Sequence, residues 1–235
     1  MASFSYPGSE LDLFAQAKQW KSYLGSRIRP FVRGRVLEVG AGIGGSTRAL
    51  WSEAVSEWTC IEPDPKLATQ LGERIQSGTL PGPCVSIVGT LDSVADTAAK
   101  FDSILYVDVL EHIQDDREEL ARAETLLSEG GRLIVLSPAH QVLYSEFDEH
   151  VGHYRRYNRR TLLEISPPGL RLLHLEYLDS MGLIASAANR SVLRMSRPSS
   201  REVQFWDRFF VPISRRLDRV LGHRVGKSIL VVWEK

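Results

Sequence analysis

The stretch Val39-Gly40-Ala41-Gly42-Ile43-Gly44-Gly45 decides how this chain is read. It follows a β-like run, Arg35–Val39, and opens a helical one, Ser46 to about Val55. Glycine has no Cβ, so the backbone can turn sharply here and come close to a ligand. The helix N-terminus beyond the turn offers free N–H groups. Two fingerprints fit at once. Gly40, Gly42 and Gly45 satisfy G-x-G-x-x-G, the dinucleotide pattern, and Gly40, Gly42 and Gly44 satisfy G-x-G-x-G. Glu62 ends the next β-like run 22 residues after Gly40, where a carboxylate could hold ribose hydroxyls under either reading. A tight turn that binds nothing is the third reading.

Outward from this turn, segments of β and helical character alternate over the first two thirds of the chain, which predicts an α/β fold with a parallel sheet covered on both faces. A helix is expected over Glu10–Arg29, before Pro30. Trp58–Glu62 reads as a strand, and Pro65 suits the first turn of a helix over Lys66–Gln76. Gly78, Pro81, Gly82 and Pro83 punctuate the chain before a strand at Val85–Val88. The strand Asp102–Val107 is continuously apolar in Ile104-Leu105-Tyr106-Val107, as a central buried strand should be. A helix over Asp115–Leu127 is expected to end at Gly130-Gly131, ahead of a strand at Leu133–Leu136. A polar, His/Tyr/Arg-rich stretch follows (Ala139–Arg160), then late strands at Leu170–Tyr177 and Ser228–Trp233. The mostly helical insertion between those two strands carries Phe205, Trp206, Phe209 and Phe210 and reads as a lid; Pro212 should interrupt a longer surface helix there.

At 235 residues the chain fits one large domain and can bury roughly 70–75% of its unfolded surface, without disulfide or metal staples. Its 43% hydrophobic and 25% charged residues are ordinary globular values. No apolar run approaches the ~18 residues that cross a bilayer, and Met1 to Gly8 lack the pattern of a secretory leader. Cys60 and Cys84 fall inside apolar runs, so buried free thiols in a reducing cytoplasm are expected rather than a disulfide. The net charge of zero hides an asymmetry. Residues 1–150 carry 13 basic and 22 acidic side chains, and residues 186–235 carry 11 and 4. The basic C-terminal segment could be a solvated face or could meet an anionic substrate, membrane or nucleic acid.

Context separates the fingerprints. Glu38 stands two residues before Gly40, where a dinucleotide fold would usually carry an apolar residue. Leu37-Glu38-Val39-Gly40-Ala41-Gly42-Ile43-Gly44 resembles motif I of class I S-adenosylmethionine (SAM)-dependent methyltransferases. Ile61-Glu62-Pro63-Asp64 resembles their acidic loop after the second strand, and Asp108-Val109-Leu110-Glu111-His112-Ile113 their "VLEHI" motif after the fourth. Leu126-Leu127-Ser128-Glu129-Gly130-Gly131-Arg132-Leu133 resembles the approach to their fifth strand. The resemblance covers about residues 30–140 and implies a Rossmann-like fold: a mostly parallel seven-stranded sheet with helices on both faces, an N-terminal helix and a helical insertion before the last strand.

It also implies roles. Gly40, Gly42 and Gly44 would pass close to the methionine part of SAM, and Glu38 would reach its ammonium through water. Glu62, with Pro63 beside it, would accept from the ribose hydroxyls. The adenine contact would fall in the turn Gly89-Thr90-Leu91-Asp92, on Thr90 with Leu91 or on Asp92. Asp108 and Val109 would flank the methionine moiety, although Asp108 and Glu111 could simply cap a helix. The family chemistry is in-line attack of an acceptor atom on the SAM methyl, leaving S-adenosylhomocysteine, and no universal catalytic residue can be carried over.

The segment Ala139–Tyr157 resembles that of a bacterial subgroup of these enzymes with a "GH-x-RRY" element. It follows the fifth strand at the carboxyl edge, where ligands bind in open α/β sheets, and reads as the acceptor-pocket floor. His112, His150 and His153 are the candidate bases; His140, Tyr144, Arg155, Arg156 and Tyr157 are candidate acceptor contacts. Arg155 and Arg156 could fork onto an acceptor carboxylate or phosphate, or brace the loop against Asp148 or Glu149. Asp148, His150 and His153 lack a fourth ligand at metal-site spacing, so no metal is expected.

These readings give one methyltransferase domain over 1–235: an N-terminal helical segment (1–33), a cofactor core (34–139), an acceptor loop (140–160) and an insertion (180–226). The expected activity is methyl transfer to an oxygen of a small-molecule acceptor, in specialised biosynthesis, by a cytoplasmic monomer or homodimer with no nucleic-acid module. Nitrogen, carbon and lipid-like acceptors stay open, the last through membrane contact of the basic aromatic C-terminal segment. A protein that binds SAM without turnover, and a nicotinamide oxidoreductase lacking the Tyr-x-x-x-Lys pair, are the competing classes.

Overall fold

A computed structural model describes residues 14–95, 100–188 and 199–235. Residues 10–13 of the expected first helix and 189–198 of the insertion lie outside the described residues. The seven strands are β1 (Gly34–Val39), β2 (Val55–Glu62), β3 (Cys84–Val88), β4 (Phe101–Val107), β5 (Leu127–Pro138), β6 (Arg171–Leu178) and β7 (Ser228–Glu234). They form one sheet in the order β3-β2-β1-β4-β5-β7-β6. The pairings among β1 to β5 are parallel, and β7 lies antiparallel between β5 and β6.

Alternate residues of the central strands feed two cores, one on each face. Ile104, Tyr106, Leu133 and Val135 pack on one side; Leu105, Ile134 and Leu136 pack on the other. This is why those strands read as unbroken apolar runs. Because β1 is flanked by β2 on one side and β4 on the other, chain order reverses between β1 and β4. Ligands bind at such switch points, outside the carboxyl ends of the strands.

The helices around the sheet are α1 (Lys18–Ile28), α2 (Gly45–Leu50), α3 (Pro65–Gln76) and α4 (Asp116–Leu126), then α5 (Glu146–Val151) and α6 (Arg159–Glu164). The insertion holds α7 (Ser180–Ala188), α8 (Ser200–Phe205) and α9 (Val211–Val220). Asp64 caps α3 by accepting from the N–H groups of Lys66 and Leu67, with Pro65 in the first turn. Three local expectations are corrected. The helix after the glycine turn stops at Leu50, since Val55 already pairs with Gly34 in β2. Gly130 and Gly131 do not end α4 but lie inside β5, where the register with β4 shifts. Gly130 has φ +71°, and a Cβ on Gly131 would sit 2.7 Å from the Ser128 carbonyl. Pro212 does not interrupt its helix either. A π turn over Trp206–Phe210 precedes it, with Val211 N–H donating to Trp206, five residues back. That widened turn accommodates a residue with no N–H of its own. Cys60 and Cys84 are buried free thiols, not joined in a disulfide.

Candidate active site

The glycine turn leaves β1 at the switch point. Gly40, Gly42 and Gly44 have φ of +66°, +54° and +78°, in the left-handed region that a side chain penalises. Gly40 is also sterically committed: a Cβ there would lie 2.7 Å from a Val109 methyl. Glu62, ending β2, closes the turn with both carboxylate oxygens. Oε2 accepts from Gly42 N at 2.8 Å and Oε1 from Asp64 N at 2.9 Å. Burial raises the Glu62 carboxyl above its ordinary range, and these two N–H groups oppose the shift.

A cavity of about 920 Å³ opens beyond this turn. Gly40, Gly42, Glu62 and Pro63 line one end, and Asp108 and Val109 continue the wall. Asp108 adopts φ +54°, and its own position at the end of β4 presents it to the cavity. Its depth in the molecule pushes its carboxyl up to about 6, while His153 and Lys227 pull it back. Helix residues Phe205, Trp206 and Phe210 line it too.

The floor comes from the loops after β4 and β5. Asp148, fully buried, is its hub. Arg156 donates to it through Nε and a second guanidinium nitrogen, each at 2.8 Å, and His153 Nδ1 lies 2.8 Å from Oδ1. Burial alone would raise the Asp148 carboxyl; the His153 and Arg156 hydrogen bonds, with their charge, hold it well below the usual range. An ionised carboxylate can only accept, so His153 carries its proton on Nδ1 and turns Nε2 the other way. Nε2 lies 3.9 Å from Glu111 Oε1, a buried oxygen with no hydrogen-bond partner among the described residues. Glu111 Oε2 accepts from Ser137 at 3.0 Å. His112 meets His153 edge to face, with ring centroids 4.5 Å apart, and burial drives its pKa down to about 4. Glu111, His112 and His153 bring possible metal-donor atoms within 4.8 Å of one another. This trio differs from the Asp148, His150 and His153 set weighed in the sequence, since His150 is on the exposed face of α5.

Several expected contacts do other work. Glu38 is 1% exposed and stands behind the turn, where its Oε2 accepts from Thr47 at 2.5 Å and from the Trp58 indole at 2.9 Å. Gly44 caps α2 and packs against Leu80 and Leu71, away from the cavity lining. Thr90 is exposed, Leu91 is in the core, and Asp92 pairs with Arg122, so that turn does not line the cavity. His140 stacks on Tyr177 and reaches the Gly226 carbonyl at 3.0 Å. Tyr144 donates to the His153 carbonyl, and Tyr157 to Asp116 at 2.7 Å. Arg155 is spent on Asp116 and the Gln114 carbonyl. Of the five expected acceptor contacts only Arg156 lines the cavity.

The structure adds Asp179 and Lys227 to the lining. Asp179 accepts from the Trp206 indole at 2.8 Å and from Ser214 at 2.7 Å, and Lys227 lies over the Trp206 ring at 5.7 Å. Burial lowers the Lys227 pKa, against the pull of Asp179, Asp148 and Asp108. Both residues flank sheet strands: β6 ends just before Asp179, and antiparallel β7 starts just after Lys227. A reading that placed β7 antiparallel would have brought both to the ligand edge.

A family model described as a methyltransferase domain matches residues 10–209. No curated protein matches the sequence. Among solved structures, the chain is similar to a phosphoethanolamine N-methyltransferase of Haemonchus contortus, at 16% identity and TM-score 0.63, covering 97% of this chain and 57% of that one. It is similar to a SAM-dependent methyltransferase of Clostridium acetobutylicum, at 12% identity and TM-score 0.57, covering 93% and 92%. The cyclase SpnF matches at 16% identity and TM-score 0.61, covering 92% and 80%. Likenesses this distant speak for the fold; the match along most of the chain speaks for the family and sets the nicotinamide reading aside. With its glycine turn at the switch point of the sheet and a methyltransferase-domain match spanning most of its length, the chain belongs to the class I SAM-dependent methyltransferases.

Proposed function

We propose that this chain transfers the SAM methyl group to a hydroxyl or carboxyl oxygen of a small-molecule acceptor held on the cavity floor. The turn end of the cavity fits the cofactor. Gly40 and Gly42 present backbone without side chains, and Glu62, pinned by two N–H groups, keeps lone pairs for ribose hydroxyls, since a carboxylate offers about four acceptor sites. Pro63, Asp108 and Val109 complete that wall, and Glu38 positions the turn from behind through Thr47 and Trp58. The bound cofactor supplies a strongly electrophilic methyl group. The protein's tasks are then to align the acceptor, exclude water and take up a proton.

The observation that carries the oxygen reading is the Asp148–His153 pair. A hydroxyl loses its proton as the new C–O bond forms, and His153 Nε2 is the group placed to receive it. Asp148 fixes the tautomer and offsets the imidazolium that results. His112, its pKa at about 4, is neutral near pH 7 and forms pocket wall beside it. Arg156 and Lys227 give the floor a cationic edge for an anionic group on the acceptor. The segment from Ala139 to Arg160 is the subgroup-like element that assembles this floor, and two buried free thiols suit a reducing compartment such as the cytoplasm.

Transfer of labelled methyl from SAM into a fractionated metabolite extract tests the activity. Label in a small-molecule fraction that chemical degradation assigns to an O-methyl group supports the proposal; label on nitrogen or carbon overturns the oxygen assignment. With that acceptor, His153→Ala should lower turnover by about 10²–10⁴-fold, the usual worth of a positioned base, with SAM affinity unchanged. An unaltered rate would remove His153 from the role.

A further inference from the structure

We propose that the outer face of the helix running from Ser200 to Val220 docks on an anionic lipid surface, and that the acceptor is an amphiphile drawn from that surface. The second half of this inference rests on the methyl-transfer reading above; the first half does not.

Helices α8 and α9, joined by the π turn, form one continuous helical rod. At about 1.5 Å per residue it is roughly 30 Å long. Its buried side is fixed to the domain. Val203, Val211, Ser214 and Asp218 are covered, Asp207 accepts from the backbone N–H groups of Gln19 and Trp20, and Asp218 accepts from Tyr23 and from the N–H groups of Asp179 and Ser180. Its outer side carries an apolar stripe at helical spacing. Phe205 is 52% exposed, Phe209 47%, Ile213 49% and Val220 83%. Four-residue steps from Phe205 to Phe209 to Ile213 keep these side chains on adjoining turns. Soluble surfaces rarely line up several large apolar side chains in this way without a use.

Charge selects the occupant. Arg201, Arg208, Arg216 and Arg219 are exposed along the same rod, and none is in an ion pair among the described residues. The acids of the rod offset them only in part: Asp207 and Asp218 face inward, and Glu202, held by Ser199 at the rod's start, is one charge against these four arginines. An apolar stripe flanked by arginines, with aromatic anchors, is the pattern of a helix lying in the plane of an anionic membrane interface. No helix among the described residues is long and apolar enough to cross a membrane, so the contact is peripheral.

The rod also lines the cavity. Phe205 is half exposed on the outside yet lines the cavity, together with Trp206 and Phe210. The neighbouring α7, Ser180–Ala188, contains no charged residue, contributes Ala185 and Ser186 to the lining and leaves Ile184 57% exposed. A docked rod therefore brings this apolar part of the lining close to lipid. An apolar chain could pass between them while its polar head reaches the floor at His153 and Arg156.

The test uses the full chain and vesicles of phosphatidylcholine alone or mixed with phosphatidylglycerol. The wild type should co-sediment with the mixed vesicles at low salt, weakly with the neutral ones, and less as salt rises. Phe209→Glu with Ile213→Glu should weaken binding by at least about tenfold, since neither residue lines the cavity and both lose their apolar contact. Arg216→Glu with Arg219→Glu should weaken it and flatten the salt dependence. SAM affinity, measured by calorimetry on the same preparations, should be equal in all three proteins and reports that each is folded. No sedimentation of the wild type at low salt, or sedimentation of both double variants equal to the wild type's, overturns the docking surface. So does a wild-type dimer that Phe209→Glu with Ile213→Glu splits into monomers in the ultracentrifuge, which would assign the stripe to a second copy of the chain. If vesicles bind but SAM does not, the methyl-transfer reading fails and the lipid surface stands.

Discussion

Glu38 and Asp148 are buried carboxylates built in opposite ways. Glu38, at the glycine turn, is 1% exposed and receives hydrogen bonds from neutral donors, the Thr47 hydroxyl and the Trp58 indole. Burial pushes its pKa up to about 7, and those donors hold it only partly down. Asp148, in the loop after β5, is fully buried but is gripped by Arg156 and His153 and stays ionised. The turn region thus depends on backbone geometry and packing and tolerates loss of a charge. The loop region depends on one charge that neutralises Arg156 and orients His153. Perturbing each should therefore give different kinds of damage.

The largest difference is expected between two matched amides. Asp148→Asn leaves the Arg156 guanidinium buried without its counter-charge, and breaking a buried pair in this way costs about 3–5 kcal/mol. Glu38→Gln keeps an oxygen that Thr47 and Trp58 can still donate to, and should cost about 1 kcal/mol or less at pH 7. Urea midpoints of the two variants at that pH check the contrast. Equal losses would break it.

Glu62→Ala sharpens the comparison within the turn region itself, because Glu62 lines the cavity and Glu38 does not. Hydrogen bonds to a charged group are worth about 1.5–3 kcal/mol each, so loss of the ribose contacts should weaken SAM by at least about tenfold and by more if both hydroxyls are held. Calorimetric titration with an unchanged circular dichroism spectrum is the measurement. Unchanged affinity would remove Glu62 from the cofactor site.

How far the sequence could be read divides along the same line. The turn was legible because its requirement is stereochemical: a strand, residues at positive φ, a helix, and a carboxylate at the end of the next strand, in an order that little else satisfies. The loop was not, because His, Tyr and Arg serve ligands and loop scaffolds equally well. His140, Tyr144, Arg155 and Tyr157 went to stacking, capping and ion pairs, and only their partners Tyr177, Asp116 and the Gly226 and His153 carbonyls tell the difference. Asp179 and Lys227 escaped notice for a topological reason. Their meeting depends on β7 running antiparallel beside β6, which no local pattern near either residue announces.

A pH series separates the two carboxylates by sign. The folded-state pKa of Glu38 lies above its ordinary value of 4.5, so its contribution to stability is full below about 4.5 and is lost as the pH rises through about 7. Asp148 is the reverse: its contribution is present above its ordinary 3.8 and lost only as the pH falls well below that. The stability of the wild type relative to Glu38→Gln should therefore fall between pH 4.5 and pH 8, by about 3 kcal/mol given 1.36 kcal/mol per pKa unit. Chemical denaturation of both proteins across that range reads the difference directly. A flat difference would mean that Glu38 is ionised throughout, and the contrast with Asp148 would lose its electrostatic basis.

The smallest effect tests the claim that much of the loop is scaffold. Tyr157 is 1% exposed, and its hydroxyl donates to Asp116, which Arg155 also holds. Tyr157→Phe removes that donor while Asp116 keeps its cation, so stability should fall by about 1 kcal/mol, the net worth of one ordinary hydrogen bond. Neither kcat nor KM for the acceptor should move, because the ring stays in the core beneath the floor and the hydroxyl points at Asp116 rather than into the cavity. A scaffold residue and a pocket residue are distinguished by turnover: His153→Ala should lower it strongly, and Tyr157→Phe should change stability at constant turnover. A shift in KM for Tyr157→Phe would place its hydroxyl in contact with the acceptor, and the loop would then hold more of the binding site than its hydrogen bonds indicate.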